Sequence, residues 1–232
     1  LRQVGAVMHS SPVLVTNKGT ITYNSTTKSL DSTNREDYVL FGSTQGLLHV
    51  VDAISGEEKF ACVPNEMVEN QKEAFLKPDA TTGGTNKLFY GVDAPWAVYS
   101  EYVIDSSGQL TVGTGKNSLK GKQYAYGGLR MGGRSYYALD LSNINSPSLK
   151  FQINPSAVTS GPLSHMGQSW SKPTIAWVNW GGQRKQVLFV GGGYDAGGVD
   201  GDARDASGVK IPYAGYESDT YNQTNGIGAG VY

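Results

Sequence analysis

The sequence predicts an all-β protein that forms part of a β-propeller, and two observations predict this fold class. First, a four-part phrase occurs twice in full and begins a third time: a strand opening near a proline, an apolar strand ending in glycine, a strand closing on aspartate, and a final aromatic residue. Second, the 232 residues include 31 glycines and 14 tyrosines but only 17% charged residues, which is typical of turn-rich β-structure. Units of four strands, repeated in this way, indicate the blades of a propeller.

Each strand of the phrase is a short run of β-branched or aromatic residues flanked by turn residues. The first copy reads SSPVLV, YVLFG, LLHVVD and GEEKF; the second reads DAPWAV, YAYGG, SYYALD and LKF; the third begins with SKPTIA and VLFVGGG. We therefore predict a single propeller domain over residues 1–232, with about two and a half blade-like units at 7–64, 90–154 and 168–232. The third copy stops at Tyr232 before its closing aspartate, so we expect the chain to be a piece of a longer protein.

Long loops are expected between these strands, because the opening prolines Pro12, Pro95 and Pro173 lie roughly 80 residues apart, whereas a plain blade takes about 40–50 residues. The entropy of closing a loop grows only logarithmically with its length, so such insertions are tolerated. The polar or turn-rich stretches expected to form these loops are residues 16–37, 78–86, 142–148 and 199–226.

One short helix is predicted after the first unit. Asn65 can cap it, and the following EMVENQKEAFL carries apolar residues at Met67, Val68, Phe75 and Leu76. We expect this helix to lie on the outside of the sheets.

Asp52 and Asp140 close the third strand of their units and are followed by small polar residues. A carboxylate in this position can accept a hydrogen bond from a backbone N–H two or three residues later and so start a turn. The two aspartates are therefore predicted to be structural turn residues and not catalysts.

Motifs for catalysis, nucleotides and nucleic acids are missing from the sequence. GTGKNS resembles a phosphate loop, but Leu110 replaces its first glycine and Asn117 its hydroxyl residue. The glycines of GGGYDAGG follow a strand but precede no helical pattern, and the net charge of −1 gives no basic footprint for nucleic acid. We predict no catalytic residue and no cofactor-binding residue. No run of 18 apolar residues, the length needed to span a membrane, occurs.

Several residues have both a structural and a functional interpretation. The three histidines lie apart in the sequence, and His49 is expected to be a packed or edge residue of its strand. Cys62 is the single cysteine, which excludes an internal disulfide, and it is expected to be a small buried side chain. Trp96, Trp170, Trp177 and Trp180 either pack between units, the favoured interpretation, or form a contact surface for a sugar or a protein.

A cluster of aspartates near the end of the chain is the candidate metal site. Asp195, Asp200, Asp202 and Asp205 lie among glycines, where carboxylates can surround calcium, but the spacing departs from a regular calcium loop. Asp200 and Asp202 are the candidate ligands, and a solvated polar loop is the alternative.

The segment VVDAISGEEKF resembles the repeat of quinoprotein-type propellers, in which an aspartate, a glycine and a tryptophan lock one blade to the next. Asp52 and Gly56 match this repeat, and Phe60 stands in place of the tryptophan. The resemblance implies a quinoprotein-like fold, and its enzymatic interpretation is a quinoprotein dehydrogenase. The chain has no vicinal cysteine pair, which argues against that activity.

A wider resemblance rests on blocks found in order along the chain: VMHSSPVLV, YVLFGSTQGLLHVVDAISGEEKFACVPNEM, GGLRMGGRSYYALDLSN, MGQSWSKPTIAWVN and VLFVGGGYD. Together they resemble the C-terminal propeller of the PilC/PilY family of type IV pilus biogenesis factors and tip adhesins. The resemblance implies an exported, non-enzymatic protein at the cell surface, pilus tip or outer membrane.

The same resemblance implies roles in pilus assembly and extension, twitching motility and adhesion, with pilins or minor pilins and host surface ligands as partners. It implies a calcium site on a later blade, beyond Tyr232, and no cofactor within this chain. The alternative is a quinoprotein-like dehydrogenase or an outer-membrane propeller scaffold.

Overall fold

The computed structural model describes residues 4–72, 90–197, 215–216, 218–222 and 225–232. In this part of the chain, twelve strands form three antiparallel sheets joined by one short α-helix and several 3₁₀ turns. The predicted all-β fold is confirmed, and the three sheets of the described residues do not close into a ring.

The first unit forms a meander of four strands in chain order. These are β1 (Val13–Asn24), β2 (Ser29–Gly42), β3 (Leu48–Asp52) and β4 (Glu58–Cys62), and each pairs antiparallel with the next. This is the four-stranded arrangement of a propeller blade that the repeated phrase predicts.

The second unit repeats the meander, and two short strands that follow its first strand belong to the first sheet. Its first strand is β5 (Trp96–Glu101), followed by β6 (Val103–Ile104) and β7 (Leu110–Thr111), which leave the unit, because β7 pairs with Lys18 and Gly19 of β1. The second sheet is completed by β8 (Lys122–Gly127), β9 (Tyr136–Asp140) and β10 (Ser148–Ile153), in the spatial order β10-β9-β8-β5.

The third unit contributes the hairpin of β11 (Thr174–Trp180) and β12 (Gln183–Phe189). Just beyond β12, Val190 and Tyr232 exchange two backbone hydrogen bonds, and Gly191 bridges Val231. A third segment therefore pairs with the end of this hairpin at the place where the phrase has its third strand.

Apolar side chains between the first and second sheets form the main core. Its buried members include Leu40 and Val50 from the first sheet and Trp96 and Leu139 from the second. A smaller cluster of Tyr136, Met166 and Val190 joins the second unit to the third. Unit-on-unit packing of this kind is how a repeat protein buries faces that one unit cannot bury alone.

The stretch 16–37, predicted to be a loop, instead forms most of a long β-hairpin, so this prediction is wrong. The hairpin pairs Thr20 with Thr33 and continues to Asn24 opposite Ser29. Its turn is closed by Asn24, whose side-chain oxygen accepts hydrogen bonds from the N–H groups of Thr26 and Thr27. The polar composition reflects an exposed ribbon rich in β-branched residues, which favour strands although they look like loop residues.

The predicted helix exists, but its cap and its location differ from the prediction. Helix α1 (Asn65–Asn70) starts after Pro64, and no side chain caps it, so Asn65 is its first residue and not its cap. Glu66 and Met67 are buried, and Met67 belongs to the main core, so the helix does not lie simply outside the sheets. Residues 73–89, including Phe75, Leu76 and the loop expected at 78–86, lie outside the described residues.

Candidate functional site

In each of the three units, the start of the first strand and the end of the second strand lie together at one face, because these two strands pair antiparallel. Four residues from this face come into contact: His9 precedes β1, Asp93 precedes β5, Arg130 follows β8, and Trp170 precedes β11. We name this set the inter-unit node. It joins the first unit to the second and third units.

The carboxylate of Asp93 is the centre of the node. This side chain is fully buried, and its Oδ2 lies 2.8 Å from Nδ1 of His9 and 3.1 Å from Nη1 of Arg130. The backbone N–H of His9 also donates to Oδ1 of Asp93, over 3.2 Å. Nδ1 of His9 lies 2.9 Å from the Arg130 guanidinium as well, yet a nitrogen that donates its proton to a carboxylate cannot accept one from arginine. We therefore assign both His9 and Arg130 as donors to Asp93.

A row of aromatic rings leads away from the node. Cζ of Arg130 lies 4.1 Å from the centroid of the Trp170 ring, within the range of a cation–π contact. Trp170 stacks on Tyr194 with centroids 4.8 Å apart, and the row continues through Tyr216 at 5.8 Å and Tyr221 at a further 5.6 Å. We name these four rings the aromatic ladder; Tyr216 is 66% exposed.

The backbone of Arg130 supports the position of this guanidinium. Its φ of 53° lies in the left-handed region, which a residue with a side chain adopts at a cost of order 1–3 kcal/mol. Ser169 holds this conformation: its carbonyl accepts from the Arg130 N–H over 3.1 Å, and its Oγ accepts from the Leu129 N–H over 2.7 Å. The segment that carries Trp170 therefore also fixes the turn that carries Arg130.

A second, buried network anchors the helix to the second unit. Glu66 accepts hydrogen bonds from the backbone N–H groups of Arg134, over 2.8 Å, and Ser135, over 3.0 Å. Burial raises the pKa of Glu66, although these hydrogen bonds and the Arg134 guanidinium act in the opposite direction. Nε of buried Arg134 in turn donates to the carbonyl of Met166 over 2.9 Å, which extends the network toward the third unit.

Asp52 and Asp140 make the hydrogen bonds of turn residues. Oδ1 of Asp52 accepts from the N–H groups of Ile54, over 2.9 Å, and Ser55, over 2.8 Å, and these bonds hold the pKa of Asp52 below its usual value. Oδ1 of Asp140 accepts from the N–H of Ser142 over 2.9 Å. Both carboxylates thus start the connection to the fourth strand of their unit, as the sequence predicts for them.

The candidate calcium ligands Asp200 and Asp202, like Asp205, lie outside the described residues, and calcium there stays a prediction. The fourth member, Asp195, is buried, with Oδ1 accepting from the N–H of Gly197 over 2.9 Å and Oδ2 from Nδ2 of Asn225 over 3.0 Å. Within the described ranges, no three histidine, cysteine or acidic residues form a group that could hold a metal.

Of the remaining predictions for single residues, some are confirmed and others are wrong. His49 is packed, within reach of Ser43 at 3.0 Å and Glu58 at 2.8 Å, and Trp96 is buried as expected. Cys62 is only partly buried, which nevertheless raises the pKa of its thiol. Trp180 is 71% exposed, so its expected packing between units is wrong: its strand β11 pairs only with β12 in the described structure. Trp177 is 45% exposed, but its ring meets Tyr99 of β5 edge-on with centroids 6.4 Å apart, so it does lie between the second and third units.

Sequence reasoning missed the inter-unit node, because 84 residues separate His9 from Asp93 and another 37 separate Asp93 from Arg130. One signal was available. His9, Asp93 and Trp170 each lie two or three residues before the proline that opens their unit. Equivalent positions of a propeller repeat come together around the axis, so polar and aromatic residues at one repeat position indicate a shared site.

The polar groups of the node satisfy one another, and the ladder reaches the surface at the ring of Tyr216, which is 66% exposed. Arginine, tyrosine and tryptophan are the residues most enriched in the energetic centres of protein interfaces. This arrangement suits contact between units and with a macromolecule. None of the helices in the described ranges is both long and apolar enough to cross a membrane.

Comparison with known proteins shows a similarity in sequence to a curated protein. The chain is 26% identical over 208 residues to the type IV pilus biogenesis factor PilY1 of Pseudomonas aeruginosa (strain UCBPP-PA14), and the alignment covers 86% of this chain and 16% of that protein. The chain therefore spans about one sixth of the length of the relative. The resemblance to the PilC/PilY family that the sequence blocks imply is confirmed.

Among solved structures, the crystal structure of the Pseudomonas aeruginosa PilY1 C-terminal domain matches with a TM-score of 0.44 and 25% identity. That match covers 69% of this chain and 25% of the other. No family model matches the chain.

Proposed function

We propose that this chain is part of the propeller of a type IV pilus biogenesis factor, in which it supports pilus assembly and extension. The observation that carries the proposal is the alignment with PilY1 over 86% of the chain. The blocks of sequence that resemble the PilC/PilY family, which occur in order along the chain, support it. Since the chain spans only 16% of that relative, the activity of the whole protein is itself part of the proposal.

In this role the protein acts without catalysis, by contact with other proteins. It is exported to the cell surface, at the pilus tip or outer membrane, and contributes to twitching motility and adhesion through pilins or minor pilins and host surface ligands. The aromatic ladder is the surface that we assign to such contacts, because its Tyr216 is 66% exposed and a tyrosine ring gives a large, rigid contact area at a low entropic cost.

A substitution at the ladder tests this proposal in the full-length protein in cells. Tyr216→Ala removes the most exposed ring, whose side chain is 66% accessible, and should leave the fold intact. We expect fewer pili in sheared surface fractions and smaller twitching zones at normal protein levels. Ile54→Ala, at an exposed position in the turn after β3, is the matched control and should change neither.

Two results would contradict different parts of the proposal. Normal piliation and twitching in a strain whose factor lacks residues 7–232 would refute the role in pilus assembly. Loss of piliation in that strain, but not in the Tyr216→Ala strain, would retain the role and refute the ladder as its contact surface.

The enzymatic alternative rests on the segment that resembles the quinoprotein repeat. In the structure this segment forms the β3–β4 turn, in which the N–H of Gly56 donates to the carbonyl of Asp52 over 2.9 Å and Gly56 has a φ of 73°. Its matching residues are thus engaged in a turn that favours glycine. We expect the purified chain to bind no pyrroloquinoline quinone in equilibrium dialysis; saturable binding would favour the dehydrogenase.

A further inference from the structure

The distal half of the β1–β2 hairpin carries an exposed strand edge without the usual protection. Up to Gly19 the outer edge of β1 is covered by β7, and Gln109 still contacts Thr20 through a 3.3 Å hydrogen bond. From Ile21 to Asn24, the described structure pairs β1 with β2 only. The backbone groups of this edge are therefore open to a further strand.

The sequence along this edge favours strand addition. Residues 19–27 contain no charged residue and no proline, although lysine and proline are the residues with which proteins commonly protect an edge. Lys18 and Lys28 flank this stretch, and Nζ of Lys18 lies 3.4 Å from the carboxylate of Asp105. Thr20, Ile21, Thr22 and Tyr23 all have high strand propensity.

One face of the distal hairpin is also apolar and exposed. Tyr23 lies directly opposite Leu30 in the register of β1 and β2, and Ile21 lies on the same face two residues earlier. These side chains are 63%, 71% and 55% exposed, respectively. They form a small patch that ends at the free edge.

We propose that this edge pairs antiparallel with the same edge of a second copy of the chain, with Tyr23 on the two-fold axis. The hairpin's own register then places Leu30, Tyr23, Tyr23 of the second copy and its Leu30 in one apolar row across four strands. A two-fold contact must be self-complementary, and an uncharged segment with a central aromatic residue meets that requirement without opposing like charges. The fold already uses this edge in the same way, since β7 adds to it antiparallel. The inference does not depend on the proposed role in pili.

Because the pairing involves about four residues a strand, the contact lies at the small end of protein interfaces, and association is weak. Sedimentation equilibrium of the 232-residue chain should show an average mass rising from 24.8 kDa toward twice that value as the concentration approaches about 1 mM. Tyr23→Lys and Tyr23→Glu each place like charges opposite one another on the axis, so each variant alone should stay monomeric. An equimolar mixture of the two should associate again, because opposite charges then face each other. Unchanged melting temperatures show that the variants are folded.

Cross-linking tests the register independently. In a Cys62→Ser background, Tyr23→Cys should form an interchain disulfide on mild oxidation, because directly opposed residues have Cα atoms about 4.5–5.5 Å apart, within the range of a disulfide. Leu30→Cys is equally exposed but one strand further from the axis, and it should cross-link at least ten times more slowly. The proposal is overturned if the wild-type chain stays monomeric at about 1 mM, if the charge mixture associates no better than its components, or if the two cysteine variants cross-link at equal rates.

Discussion

Replacement of Glu66 by alanine tests the idea that a buried carboxylate holds helix α1 to the second unit. Glu66 is 4% exposed and accepts hydrogen bonds from two backbone N–H groups, those of Arg134 and Ser135, residues that are themselves 3% and 0% exposed. The alanine variant leaves both donors without a partner in a region where water has little access. A further hydrogen bond to this turn runs from Nε2 of Gln71, just after the helix, to the carbonyl of Gly132 over 2.7 Å.

The expected loss in the free energy of unfolding follows from the two backbone N–H donors that lose their acceptor in Glu66→Ala. An unsatisfied buried N–H costs about 1–3 kcal/mol, so the pair costs about 2–6 kcal/mol. Removing a buried charge recovers part of this, because burial disfavours the ionised form of Glu66 and raises its pKa. We expect a net loss of roughly 2–4 kcal/mol, which for a chain of this size lowers the melting temperature by about 5–15 °C.

Urea unfolding followed by circular dichroism measures this loss, and the helix supplies its own control. Glu69→Ala removes a carboxylate from an exposed position three residues later, and its effect should stay within about 0.5 kcal/mol. If Glu66→Ala and Glu69→Ala have the same unfolding midpoint, the two hydrogen bonds do not stabilise the protein and the reasoning is refuted.

Three further predictions concern backbone packing, a turn and pH. Gly132→Ala should cost about 1–3 kcal/mol, because a Cβ there would collide with the carbonyl oxygen of Gly91; Gly113→Ala, whose nearest neighbour would be 3.4 Å away, should be almost neutral, and equal denaturation midpoints would contradict this. Asp52→Asn should lower the melting temperature less than Asp52→Ala, because the amide oxygen can still accept the N–H groups of the turn; the reverse order would refute that role. The folded-state pKa of Glu66 is raised above its ordinary value of 4.5, so the folded protein binds this proton more tightly than the unfolded chain does. The stability that this proton gives to the fold is complete below pH 4.5 and is lost as the pH rises through the folded-state pKa. Urea midpoints between about pH 4 and 8 should therefore fall less with pH in Glu66→Gln than in the wild type, and parallel pH profiles would count against a titrating Glu66.

Strands and turns that depend on neighbouring residues were predictable from the sequence. The ten strands of the repeated phrase all occur, because alternating apolar residues and flanking glycines act over a few residues. The hydrogen bonds of Asp52 and Asp140 reach only two or three residues ahead, which is the range over which a turn residue acts.

The same local rules failed where tertiary contacts decide the outcome. Residues 16–37 look like a loop because polar β-branched residues occur in loops and in exposed strands alike, and only pairing with the opposite arm and with β7 selects the strand. The helix was expected on the outside of the sheets, yet the buried partners of Glu66 come from the turn before β9, nearly 70 residues away.

The sequence by itself determined the fold class, the repeating unit and the turn residues of this protein, because these follow from short-range periodicity and backbone chemistry. Only the tertiary structure decided which residues form its site. Asp93 is an unremarkable residue before a strand until the packing of three units brings His9 and Arg130 to its carboxylate and Trp170 to the guanidinium. Such a node depends on the distance between units rather than on the order of residues within one, and no local pattern encodes that distance.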